Sequence, residues 1–283
     1  MINFYRTFGA LLLVAVALFI GACDSNKSGG NEHSDSSARK DAGRKGELLV
    51  FAAASLRETM TELGASFEKE TGTRVLFNFA GSNDLAHQIN AAPGADLFLS
   101  AAPNWMDTVQ SANRLVAGSR IDLLSNKLVL VANAKNTSTL KAPCDLPSLQ
   151  FKNLALGDPE AVPAGKYARQ WMTSQQCNGK TLWDAVKDRV VPAPDVRAAL
   201  GLVIANPDVL GVVYNTDWKA FSDKTRVLYE VTDGPPIRYV LAQVSEGGNP
   251  LEAKKFFDFL TGSAAGSVYK EHGFTLISTS ATP

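Results

Sequence analysis

The sequence predicts an α/β fold on mainly parallel sheets, and three observations carry that prediction. A short apolar run, Leu48-Leu49-Val50-Phe51, passes through Ser55 into a helical pattern of Leu56, Met60, Leu63 and Phe67 that ends at Gly72. The same strand-to-helix corner recurs at Phe77-Asn78-Phe79-Ala80-Gly81-Ser82, with Leu85, Ala86 and Ile89 behind it. Strand-like and helix-like stretches then alternate along the chain, with no internal repeat of fixed period.

The chain has 283 residues, 45% of them hydrophobic, enough for one large or two modest domains. Lys+Arg and Asp+Glu are equal at 28 each, so it lacks the basic excess that a nucleic-acid surface requires. Residues 1–22 read as a targeting segment: Arg6 supplies the positive end, and residues 8–20 are apolar over a length short of a membrane span. Ile20-Gly21-Ala22-Cys23 resembles a bacterial lipobox, which implies cleavage before Cys23 and lipidation of that residue. An ordinary signal peptide with an incidental cysteine is the alternative. Residues 23–46 hold almost nothing apolar and read as a flexible tether, in which His33 has no metal role.

The folded region begins with the two corners already described. Residues 94–101 form a third strand with a small-residue end, and residues 104–112 a helix. Residues 127–132 are a strong strand, and residues 133–147 behind it are polar. Residues 153–157 are a strand leading through Asp158-Pro159-Glu160-Ala161-Val162-Pro163-Ala164-Gly165 into a helix over 166–175. Val190 and Val191 lead to Asp195, a natural N-cap, and to a helix with Val196, Ala199, Leu200, Val203 and Ile204 on its apolar side. Residues 211–217 form a strand with a polar end, residues 237–244 another, and residues 252–260 and 263–272 two closing helices.

Ser55 and Ser82 therefore stand where a strand's carboxyl end meets a helix start. There free N–H groups and the helix dipole favour an anion, although a serine at such a place is by itself an ordinary cap. Metal and hydrolytic readings find little support. His33, His87 and His272 are far apart, with His87 and His272 expected at the surface, and no nucleophile elbow or phosphate loop occurs. With Cys23 lipidated, Cys144 and Cys177 remain as an even pair in an oxidising compartment. A disulfide is the expectation and two buried thiols the alternative.

Six motifs then occur in order: Phe51-Ala52-Ala53-Ala54-Ser55-Leu56, Phe79-Ala80-Gly81-Ser82, Ala95-Asp96-Leu97-Phe98-Leu99-Ser100, Gly157-Asp158-Pro159-Glu160 with Val162-Pro163-Ala164-Gly165, Asp195-Val196-Arg197, and Gly211-Val212-Val213-Tyr214. Together they resemble the molybdate-binding proteins of bacterial ABC importers, over about residues 47–277. The resemblance implies a type II periplasmic-binding fold of two α/β lobes, residues 47–128 with 237–283 and residues 129–236, clamping a ligand between them. It implies a molybdate site of Ser55, Ser82, Ala164, Val196 and Tyr214 in which no side chain ligates molybdenum, the metal arriving only as its oxyanion. It further implies tungstate as a second ligand, no resident cofactor, a monomer outside the cytoplasm, and a membrane permease as partner. The lipobox, from which anchoring through Cys23 is expected, and the long tether differ from relatives that are freely soluble in the periplasm. Asp84, where some relatives carry hydroxyl residues, brings a carboxylate near the second corner. A binder of sulfate, phosphate or an iron–anion complex, and an enzyme on the same fold, remain the alternatives.

Overall fold

A computed structural model describes residues 46–277. The targeting segment, Cys23, the tether before Gly46 and the tail from Ser278 lie outside the described residues.

The first lobe is assembled from β1 (Glu47–Ala53), α1 (Arg57–Thr71), β2 (Arg74–Ala80), α2 (Ser82–Ala91), β3 (Leu97–Ser100), α3 (Pro103–Ser111) and β4 (Ile121–Asn126). The chain then crosses at Lys127 into a second sheet. That lobe holds β5 (Leu128–Asn133), β6 (Asn153–Gly157), α4 (Pro163–Ser174), β7 (Gln176–Cys177), β8 (Lys180–Thr181), α5 (Leu182–Val186), β9 (Val190–Ala193), α6 (Val196–Ala205), β10 (Val209–Tyr214), α7 (Asn215–Ala220) and β11 (Thr225–Glu230). It returns through Pro235 and Pro236 to β12 (Ile237–Gln243), α8 (Pro250–Thr261), α9 (Ser263–Glu271) and β13 (Thr275–Leu276). Strand order is β13-β4-β12-β3-β1-β2 in the first sheet and β11-β5-β10-β6-β9 in the second.

Both sheets are covered on two faces, which explains the continuous apolar strands. On one side of the first sheet Leu48, Val50 and Ala52 pack with Met60, Leu63, Phe67, Phe256 and Leu260, all buried. On the other, Leu85, Ile89, Phe98, Met106 and Val109 form a second cluster. In the second lobe Ala168, Trp171 and Met172 of α4 and Ala199, Leu200 and Val203 of α6 cover β5, β6 and β10. Cys144 and Cys177 are joined in a disulfide, their Cα atoms 5.3 Å apart, tying the turn at Pro143–Ser148 to the β7–β8 hairpin.

The sheets differ from the expectation of mainly parallel strands. β1 pairs in parallel with β2 and β3, and β6 with β9 and β10. β12, however, runs antiparallel to β3 and β4, and β5 antiparallel to β10 and β11. The reason is topological. A strand that enters its lobe from the other one, as β5 and β12 do, arrives from the opposite end of the sheet. The helix expected from residue 166 starts instead at Pro163, because proline at the first helical position loses no hydrogen bond and has its φ already set. β4, β11 and α7 carry mixed residues without a clean period and are visible only in the fold. Pro192 is accommodated in β9 because that strand is an edge.

Candidate functional site

Four helix starts and one strand end converge between the lobes. Ser55 sits in a single tight turn, Ala54–Leu56, that joins β1 to α1. It caps nothing; its Oγ lies 2.9 Å from the Tyr239 hydroxyl. Ser82 is the first residue of α2, after Gly81, and its Oγ accepts the Ala101 N–H at 2.9 Å. That bond occupies a lone pair and leaves the Ser82 proton free. Ala164 is the second residue of α4, where the first intrahelical bond is Lys166 N–H to Val162 O, so its own N–H has no acceptor within the helix. Val196 opens α6. The Asp195 carboxylate accepts from Arg197 N–H at 2.7 Å and Ala198 N–H at 2.9 Å, which leaves the Val196 N–H uncapped. Tyr214 closes β10 and is buried, with no hydrogen-bond partner for its hydroxyl.

These five residues border one small cavity, with Ala53, Ala54, Ala80, Gly81, Ala101, Val162, Pro163 and Asp195 completing the wall. Small side chains bring the backbone close to whatever fills the space. No lysine, arginine or histidine is among the lining residues, so positive potential comes from helix starts rather than ionised groups. Asp84 is not among them; its Oδ1 accepts from Asn83 Nδ2 at 2.9 Å. His87 is exposed against Trp105, and His272 pairs with Glu62 at 2.8 Å, both away from the cavity.

The lobes touch on both flanks of the cavity. Trp105 Nε1 of α3 donates to Ala161 O of the second lobe at 3.0 Å, and Lys166 lies over the same indole. On the other flank Arg197 of α6 reaches Glu58 of α1 while also contacting Asp217, its Nε 2.6 Å from Oδ1. Gly81 approaches Pro194 so closely that a Cβ there would stand 2.8 Å from the proline carbonyl oxygen.

Burial dominates the protonation of the groups behind this wall. It lifts the Tyr214 and Tyr239 hydroxyls well above the ordinary phenol value, so both stay protonated donors. It raises Asp217 to about 6 despite the Arg197 charge, which pulls the other way. Tyr239, Asn126 and Asp217 carry no sequence motif; a reading of strand-to-helix corners does not reach them.

Comparison with known proteins agrees with this architecture. A family profile described as bacterial extracellular solute-binding protein matches residues 48–275. The chain is 37% identical to the molybdate-binding protein ModA of Escherichia coli over 264 residues, covering 92% of this chain and 97% of that protein. It is 31% identical to a putative ABC transporter substrate-binding lipoprotein, YvgL, of Bacillus subtilis over 91% of this chain and 94% of that one. Among solved structures, the substrate-binding domain of a putative molybdenum ABC transporter from Clostridium difficile superposes with a TM-score of 0.62 at 31% identity. That match covers 82% of this chain and 99% of the other. The two lobes thus form a periplasmic-binding fold, and the chain belongs to the bacterial extracellular solute-binding protein family.

Proposed function

We propose that the protein captures molybdate, and tungstate with it, outside the cytoplasm and hands it to the permease of an ABC importer. The observation that carries this reading is the Tyr214 hydroxyl, a buried donor without a partner at the edge of a cavity whose polar groups, the Asp195 carboxylate apart, are N–H and hydroxyl donors. Such a group needs an acceptor, because leaving it unpaired costs about 1–3 kcal/mol. A fully deprotonated tetrahedral dianion supplies acceptor oxygens on every side. The names of the Escherichia coli and Clostridium difficile relatives narrow that class to molybdate.

The donor set also argues against phosphate, which near neutral pH keeps at least one proton that would face mostly donors. Asp195, the carboxylate in the wall, has Oδ1 committed to the first turn of α6, which holds the side chain to that helix and leaves only Oδ2 as an acceptor. Sulfate carries no proton, so only oxygen spacing and cavity size separate it from molybdate. Ligand capture without chemistry is the reading for Ser55, since no histidine stands among the lining residues to act as its base. One chain's own lobes complete the cavity, which supports a working monomer.

A thermal-shift panel tests the assignment. Molybdate and tungstate at a hundredfold excess over Kd are expected to stabilise by about 2.7 kcal/mol, with sulfate weak and phosphate silent. Tyr214→Phe is expected to lose about 1.5–3 kcal/mol of molybdate binding by calorimetry. Equal shifts with sulfate, or none with molybdate, overturn the assignment. For Cys23 we keep the lipid-anchor reading, which the lipobox pattern and the lipoprotein name of the Bacillus relative support. Cys23→Ala should then move the protein from the membrane to the soluble fraction.

A further inference from the structure

We propose that Asn126 and Tyr239 are positioning residues which turn the Ser55 hydroxyl into a one-way donor, its proton directed at the cavity. The inference rests on the oxyanion reading above and deepens it.

The argument starts from an amide whose orientation the backbone fixes. Lys127 N–H donates to Asn126 Oδ1 at 2.9 Å, and an N–H can be met only by the oxygen. Asn126 Nδ2 must therefore face the other way. There it has two protons and two acceptors, Thr216 Oγ1 at 2.9 Å and the Tyr239 hydroxyl at 3.2 Å. Tyr239 is 1% exposed and has a single proton of its own. Its oxygen receives Asn126, and its other neighbour is Ser55 Oγ at 2.9 Å. If Ser55 donated to Tyr239, the phenol proton would be buried with no acceptor, the costly arrangement. Tyr239 therefore donates to Ser55 Oγ, and the Ser55 proton is left for the cavity that Ser55 borders.

The ring is held for this task. Tyr239 packs at 5.8 Å from the Tyr214 ring and edge-on against Phe274 at 5.3 Å. Burial keeps its hydroxyl protonated at any working pH. The relay also lies on the crossings between lobes: Asn126 ends β4 just before the chain leaves the first lobe, and Thr216 belongs to α7 of the second. Ser82 reaches the same polarity by a shorter route, its oxygen occupied by Ala101 N–H. Both cavity serines are thereby set to donate, which favours deprotonated anions over protonated ones.

Calorimetry with molybdate, on the full mature chain near neutral pH, tests the relay through a double-mutant cycle. Tyr239→Phe keeps the ring and removes the proton that orients Ser55, and is expected to weaken binding about tenfold. Ser55→Ala is expected to weaken it roughly tenfold to a hundredfold, and the double variant no further than Ser55→Ala alone, because Tyr239 acts only through Ser55. Asn126→Asp offers Tyr239 a carboxylate to donate to, which reverses the relay; the expected result is a lower molybdate-to-phosphate affinity ratio. Wild-type affinity in Tyr239→Phe, multiplying losses in the double variant, or an unchanged ratio in Asn126→Asp would each overturn the relay while leaving the oxyanion reading intact. If the wild type binds no molybdate, the oxyanion reading fails and takes the relay with it. Melting temperatures of the ligand-free variants separate a folding defect from a lost donor. Should Tyr239→Phe prove unfolded, Asn126→Asp and Ser55→Ala still decide the matter through the affinity ratio.

Discussion

Asp217 holds the Tyr214 N–H at 3.2 Å and the Arg197 guanidinium at 2.6 Å while fully buried. Desolvation outweighs the ion pair, so its folded value of about 6 stands above the ordinary 3.8. Between those values the folded protein binds a proton that the unfolded chain does not. Stability assigned to this group is therefore present at low pH and lost as pH rises through about 6. A rise of that size corresponds to about 3 kcal/mol at most. Urea melts of wild type and Asp217→Asn from roughly pH 4.5 to 8 should show the wild type gaining on the variant as pH falls. A flat difference would mean that Asp217 titrates like an exposed carboxylate.

Two glycines show how elements set different limits on the same substitution. At Gly165, in the first turn of α4, an added Cβ would lie 1.9 Å from the Gly157 carbonyl oxygen of β6, inside one lobe. Neither backbone can yield without parting helix from strand. Gly165→Ala is expected to destabilise the fold by about 3 kcal/mol, read as a lower melting temperature with or without ligand. At Gly81 the tight backbone neighbour is Pro194 of the opposite lobe, at 2.8 Å. Within its own lobe the same Cβ would stand 2.5 Å from Asn83 Oδ1, the end of a side chain that can turn aside, so Gly81→Ala should lower the ligand-free melting temperature less than Gly165→Ala does. It should weaken ligand binding roughly tenfold, because closure onto Pro194 is obstructed. Equal losses of melting temperature in the two variants would show that Gly81 serves folding rather than closure.

On the scale of the whole molecule, closure is held by contacts on both flanks of the cavity, Trp105 to Ala161 on one and Arg197 to Glu58 on the other. The second is about a third exposed at Glu58, where water and salt screen the charge, so it is worth up to about 1 kcal/mol. Glu58→Gln is expected to raise the ligand's dissociation rate up to roughly fivefold while barely changing association, since the pair forms only as the lobes meet. Stopped-flow displacement of bound molybdate by tungstate measures this. An unchanged dissociation rate at low salt would remove the pair from the closing contacts. Arg197 keeps Asp217 as a partner after that substitution, so no buried guanidinium is stranded.

Short-range signals in the sequence determined the α/β class, the main strands and the corners at Ser55 and Ser82, while the family resemblance added Ala164, Val196 and Tyr214; all five border one cavity. Apolar periodicity and a small residue before a helix are properties of a few neighbouring residues, so they are legible without the fold. α4 starts three residues before the position expected from the sequence, at Pro163, because a proline suits the first helical position. Strand direction in β5 and β12, the existence of β4 and β11, and the roles of Asn126, Tyr239 and Asp217 came only from the tertiary structure. Each depends on a partner remote in the chain: Tyr239 meets Ser55 across 184 positions, and Asn126 meets Thr216 across 90. A hydroxyl's donor or acceptor role is decided by what else surrounds it, and no local pattern in the chain encodes those surroundings.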